Sequence, residues 1–142
     1  MTQIDFYILQ PGGQGNRYTL AARLTEKAWS AGHRVLIATD SEEELRHMNR
    51  LLWVHRDQSF IPHGILGKAD PKLNPVLLSN NTEAGEEHDV LINLCVESPE
   101  YFSRFERVAE CVDQEKQPLD ASRQRYSFYR KCGYPLNLHK IN

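Results

Sequence analysis

Long hydrophobic runs, clustered cysteines and a strong net charge are all missing from this 142-residue chain, and each absence excludes a class of protein. No apolar run approaches the roughly 20 residues that a transmembrane helix requires. The first residues lack the basic start and apolar stretch of a signal peptide, so we expect a cytoplasmic protein without a membrane partner. A net charge of −2 argues against broad nucleic-acid binding, and no direct nucleic-acid partner is expected.

Motifs for catalysis and metal binding are also missing. The three cysteines are an odd number, widely spaced and without a paired-cysteine motif, so we expect reduced, partly buried thiols. None of the six histidines stands at metal-ligand spacing from another histidine or a cysteine. The sequence contains no nucleophile elbow of the GxSxG type. We therefore expect no metal, no cofactor and no intrinsic catalysis.

The glycine cluster between Gly12 and Gly15 is the feature that most suggests an enzyme. It follows a predicted strand, and Asp40 ends the next one, as in a dinucleotide-binding crossover. Tyr18 replaces the third glycine, however, and the loop lacks the lysine and the Ser or Thr of a phosphate loop. A simple turn is the preferred interpretation. A Rossmann-like nucleotide- or dinucleotide-binding enzyme that uses this loop is the alternative.

Strand and helix patterns alternate along the chain. The predicted strands are 3–9, 35–39, 76–78, 90–94 and 108–112. The predicted helices are 17–31, 41–53, a short helix after Pro99, and 119–132. Ser41 and Glu44 are expected to form a capping box, and residues 54–74 are expected to be irregular. The pattern predicts one α/β domain over residues 1–142, with three layers and an open, mostly parallel sheet.

The segment from Leu119 onward is the most informative part of the chain. It carries five Lys or Arg against one acid, a net charge of +4. Because the whole chain has a net charge of −2, the residues before Leu119 have a net charge of −6. Four residues at helical spacing share one face: Arg123, Tyr126, Ser127 and Arg130. Phe128 and Cys132 lie outside this face and can face the core. An arginine beside an aromatic ring suits a carboxylate attached to an apolar group, although an ordinary surface helix fits the pattern equally well.

A second candidate binding segment contains Trp53 and Phe60. Both aromatics lie in or beside a predicted loop, where large aromatic side chains are often binding anchors. The alternative, that both rings cover the edge of the core, has equal weight.

Together these segments resemble the chi subunit of bacterial DNA polymerase III, a component of the clamp-loader assembly. The similarity extends over nearly the whole chain and is carried by FYIL at 6–9, GHRVLIA at 32–38, LW at 52–53, SFIPH at 59–63, DVLINL at 89–94, RQRY at 123–126, YR at 129–130, Gly133, and LN at 136–137. The resemblance implies a nucleotide-binding-like (Rossmann or P-loop-like) α/β fold without a functional phosphate loop and without catalysis of its own. It also implies two partners, the psi subunit and the acidic, phenylalanine-ending C-terminal tail of single-stranded-DNA-binding protein.

The resemblance further implies which residues contact the partners. The tail site would use Val112 as an apolar wall and Arg123 and Tyr126 as main contacts, with Ser127 and Arg130 beside them and Gly133 ending the helix. For the psi subunit, Trp53, Phe60 and Ile61 are the candidates. Ser127 and Leu119 stand where lysines are expected in the family, so attraction to the tail should be weaker unless Arg125, Arg130 or Lys131 substitutes.

Overall fold

The computed structural model describes residues 1–54 and 60–142. Their strands are β1 (Gln3–Leu9), β2 (Val35–Thr39), β3 (His63–Ile65), β4 (Val76–Asn80), β5 (Val90–Asn93), β6 (Arg107–Val112) and β7 (Leu136–Ile141). The helices are α1 (Arg17–Ser30), α2 (Glu42–Val54) and α3 (Lys116–Lys131), with a 3-10 turn at Phe102–Arg104. None of the helices in this part of the chain is long and apolar enough to cross a membrane.

The strands form one sheet in the order β3-β4-β2-β5-β6-β1-β7, and each pairing between the described strands is parallel. Helices cover both faces of this sheet. Leu36 and Ile37 are neighbours on β2, point to opposite faces, and are both fully buried in different apolar clusters. Burial on both faces explains the continuous apolar run of β2. The predicted α/β fold with an open parallel sheet is confirmed.

Two strands were not expected from the sequence. β3 lies inside the segment predicted to be irregular and pairs over three residues with β4. β7 follows the last helix and pairs with β1, from Ile4 opposite Leu136 to Leu9 opposite Ile141. The order of the strands therefore places β3 and β7 at the two edges of the sheet.

The helix boundaries follow their capping residues. Asn16 caps α1, and its side chain accepts hydrogen bonds from two amides of the first turn. The Ser41 hydroxyl accepts from the Glu44 amide at 3.1 Å, as predicted, but the Glu44 carboxylate accepts from the amide of Asp40 rather than from that of Ser41. α3 starts three residues earlier than expected because Pro118 is tolerated in a first turn, where its missing N–H is not needed.

Candidate functional site

The last helix ends in a fixed geometry that places the following strand. The amide of Gly133 donates to the carbonyl of Arg130, and the amide of Tyr134 donates to that of Tyr129, both at 3.1 Å. This is a Schellman ending, which needs a residue with positive φ, and Gly133 has φ +83°. The chain then turns directly into β7.

The outer face of α3 carries the four residues that helical spacing groups together. Arg123, Ser127 and Arg130 are exposed, and Tyr126 is half-buried between them and the sheet. The ring of Tyr126 meets Phe6 of β1 edge to face, with 5.5 Å between ring centroids. Arg123 contacts the Asp120 carboxylate at 3.6 Å, an exposed pair of the kind that contributes little stability. This face therefore offers a fixed aromatic ring flanked by two accessible guanidinium groups.

The inner face of α3 is held by a buried polar network around Glu110 of β6. The Glu110 carboxylate has no exposed surface and accepts hydrogen bonds from Arg125 at 3.1 Å, Tyr129 at 2.5 Å and Asn93 at 2.8 Å. Arg125 also donates to the carbonyl of Val96 at 2.6 Å. Burial, followed by the nearby Glu110 charge, raises the pKa of Tyr129, so this phenol remains a donor. The network fixes the rotation of α3 about its own axis.

This network corrects two expectations from the sequence. Arg125 is buried against Glu110, so it does not substitute for the missing surface lysines. Phe128 and Cys132, which helical spacing allowed to face the core, are both exposed. The helix buries Ser122, Arg125 and Tyr129 instead. Glu110 stands among apolar residues in the predicted strand 108–112, and this position was the sequence signal that a cation would be buried beside it.

Val112 does not form an exposed wall. It is fully buried in the apolar cluster against which the half-buried Tyr126, Ile8 and Leu136 pack. It therefore supports the surface from beneath and offers no area for direct contact in this conformation.

A second exposed aromatic surface lies where α2 ends, beside β3. Trp53 and Phe60 are 57% and 61% exposed, and their ring centroids are 5.3 Å apart. Val54, next to Trp53, is also exposed, a contribution that the sequence pattern did not single out. Ile61 is 1% exposed and belongs to the core, so it does not contribute to this surface. His63 packs beneath Trp53 and contacts the carbonyl of Ile61 through Nδ1 at 2.6 Å.

The glycine cluster leads into a helix start whose amides are already occupied. The Asn16 side chain accepts from two first-turn amides at 3.0 Å, and the Arg17 amide donates to the Asp113 carboxylate at 3.0 Å. A phosphate bound at a helix start needs these N–H groups free, and the Asp113 charge would repel it. A side chain at Gly15 would collide with the Thr19 hydroxyl, so glycine is required by the turn itself.

A cleft of about 730 Å³ opens at the carboxyl ends of β2, β5 and β6, the usual ligand position in open parallel sheets. Three of its polar side chains pair with one another: the Tyr18 hydroxyl donates to Glu44 at 2.6 Å and accepts from Arg17 at 2.8 Å. Burial raises the pKa of the Cys95 and Cys111 thiols in its wall, which disfavours the nucleophilic thiolate. Within residues 1–54 and 60–142, the arrangement provides neither a phosphate cradle nor an activated nucleophile.

Comparison with known proteins assigns this arrangement to a family. A family model described as the DNA polymerase III chi subunit matches residues 1–137. The chain belongs to the DNA polymerase III chi subunit family. DNA polymerase III subunit chi of Pseudomonas aeruginosa is 38% identical over 141 residues, covering 99% of this chain and 98% of the relative.

Two further chi subunits match over most of their length. The Escherichia coli protein is 29% identical over 119 residues, 83% of this chain and 81% of the relative. The Haemophilus influenzae protein is 27% identical over 138 residues and 96% of both chains. Membership in the chi family connects this chain to DNA replication and confirms the resemblance read from the sequence.

Proposed function

We propose that this chain is a non-catalytic accessory subunit of the DNA polymerase III holoenzyme in the cytoplasm. It links single-stranded-DNA-binding protein, through that protein's acidic C-terminal tail, to the clamp loader through the psi subunit. The observation that carries the proposal is the outer face of α3, where Tyr126 is held at the surface between Arg123 and Arg130 in a chi-family chain.

The chemistry of this face suits a peptide that ends in phenylalanine and carries acids before it. Arg123 presents a planar fork that can pair with the terminal carboxylate in bidentate geometry. Tyr126 provides an edge and a face for the phenylalanine ring. Arg130 lies one helical turn after Tyr126 and can pair with the acidic residues of the tail. The competing Asp120 is exposed, so releasing Arg123 from it costs little.

The arrangement of the sheet also suits a linking role. Tyr126 packs over β1, which lies next to edge strand β7, whereas Trp53 and Phe60 lie beside β3 at the opposite edge. Two partners bound at these places would not compete for the same surface. We propose the Trp53 and Phe60 surface as the psi contact because it is a pair of adjacent exposed aromatic rings.

Tail binding can be tested by fluorescence anisotropy with a labelled peptide that copies the tail. We expect saturable binding that weakens as salt rises, because arginine–carboxylate attraction is screened. Arg123→Ala and Tyr126→Ala should each weaken binding at least about tenfold, as expected for contacts at the centre of an interface. Lys116→Ala is the control, since Lys116 is an exposed cation in the first turn of the same helix. No binding to the folded wild-type protein would contradict the proposal.

Psi binding can be tested separately by size-exclusion chromatography of the two subunits. Trp53→Ala and Phe60→Ala should each abolish the complex, while Leu73→Ala, which removes an exposed hydrophobic side chain elsewhere, should leave it intact. The Trp53→Ala and Phe60→Ala proteins should each still bind the tail peptide normally. Loss of psi binding in the Leu73 control alone would show that the contact surface lies elsewhere.

A further inference from the structure

The edge strand β7 has one free side. β7 pairs with β1 on one side, and no other described strand pairs with its opposite side. An edge of this kind presents a row of N–H and C=O groups that can template another strand. Six residues of β7 are available, against three in β3 at the other edge of the sheet.

The register identifies which backbone groups are free. The Ile4 amide donates to the carbonyl of Pro135, and the Gln10 amide donates to that of Ile141. In a parallel ladder alternate residues face the same neighbour, so the odd-numbered residues of this segment face β1. The even-numbered residues Leu136, Leu138 and Lys140 therefore direct both their N–H and their C=O groups outward. These three residues offer an extended peptide a continuous set of partners.

The side chains at this edge also fit a bound peptide. Leu136 packs with the apolar cluster beneath Tyr126, and Leu138 shares its side of the sheet. Leu138 is 55% exposed and Leu136 is partly exposed, and these two leucines form a short apolar strip at the open edge. Because Tyr126 lies over Phe6 of β1, the neighbour of β7, the strip and the outer face of α3 adjoin one another.

Charge decides between the possible occupants of the edge. Residues 133–142 contain no acid and include Lys140, and Arg123 and Arg130 stand on the adjoining face of α3. A second copy of the chain paired through β7 would bring two basic edges together, which is unfavourable. An extended peptide rich in acids would instead be attracted by these three cations.

We propose that β7 accepts an acidic, extended peptide as an eighth strand of the sheet. Backbone hydrogen bonds to Leu138 and Lys140 hold the peptide. The outer face of α3 contacts the side chains of the peptide. This inference rests on the proposed function and adds the mode of binding: the tail of single-stranded-DNA-binding protein binds by β-addition rather than through side-chain contacts alone.

The test removes one outward N–H without removing a bond of the native ladder. Leu138→Pro deletes the amide that faces the open edge, a position where proline is tolerated in edge strands. Leu138→Ala is the matched control, because it removes the same side chain and keeps the amide. In the anisotropy assay with the tail peptide we expect Leu138→Pro to bind about tenfold more weakly than Leu138→Ala. Circular dichroism and urea unfolding establish that both variants are folded.

A second measurement decides the question if Leu138→Pro fails to fold. Tail peptides with a single N-methylated amide, titrated against the wild-type protein, should lose affinity at every second position, following the period of a paired strand. Equal affinities for all N-methylated peptides, or equal binding by the two Leu138 variants, would overturn β-addition while leaving tail binding intact. Absence of any wild-type binding would instead refute the proposed function, and β-addition of this peptide with it.

Discussion

Breaking the buried pair of Glu110 and Arg125 is expected to destabilise the fold more than removing any exposed charge on α3. Arg125→Met replaces the guanidinium with an apolar chain of similar length and leaves the Glu110 carboxylate buried with two donors instead of three. It also removes the bond to the carbonyl of Val96. Breaking one partner of a buried pair costs about 3–5 kcal/mol, because the remaining charge is uncompensated.

Urea unfolding measures this cost directly. With a slope of about 1–3 kcal/mol per molar urea, the midpoint of Arg125→Met should fall by at least about 1 M with the slope unchanged. Arg123→Met is the matched control, two residues along the same helix, and its exposed pair with Asp120 should contribute less than about 1 kcal/mol. The double variant Glu110→Gln with Arg125→Met should recover part of the loss, since no unpaired charge then remains.

The outcome is decisive for the role of the network. Equal, small losses in Arg125→Met and Arg123→Met would refute the idea that the Glu110 network anchors α3. A large loss in Arg125→Met that the double variant does not reduce would show that lost packing, rather than the stranded charge, is responsible.

Three further predictions concern other parts of the chain. Asn16→Ala removes the cap of α1 and should lower the free energy of unfolding by about 0.5–2 kcal/mol in urea titrations; an unchanged midpoint would contradict the capping role. Burial and a hydrogen bond to Glu44 raise the pKa of Tyr18 to about 12, above the unfolded value of about 10. The stabilisation linked to this proton is therefore complete below pH 10 and lost as the pH rises to 12, and Tyr18→Phe should make this alkaline decline shallower. Cys132 is exposed and the other two cysteines are buried, so a thiol reagent should modify one thiol quickly in the native protein and all three in denaturant.

The central strands could be predicted because burial on both faces gives them continuous apolar runs. The two edge strands, β3 and β7, could not be predicted in this way. β3 has three residues between Pro62 and Gly67, and β7 mixes Asn137, His139 and Lys140 with its apolar residues. Both exist because a neighbouring strand supplies a ladder, which is a tertiary effect that local propensity does not contain.

The outer face of α3 was predictable from helical spacing, but the inner face was not. Helical spacing placed Phe128 outside the polar face and so allowed it to face the core. The structure instead buries Arg125 and Tyr129, because Glu110 supplies the partner for both. A buried polar residue can be anticipated only together with its partner, and Glu110 is 15 residues away from Arg125 in the chain. Sequence patterns treat each element separately and so miss such pairs.

The most direct test of the account is amide chemical-shift mapping of the isotope-labelled protein during titration with the tail peptide. We predict shifts concentrated in residues 119–130 of α3 and 134–140 leading into and along β7, with little change around Trp53. Shifts concentrated in the cleft at the carboxyl ends of β2, β5 and β6, or no shifts at a large excess of peptide, would contradict the assignment of α3 as the tail-binding surface.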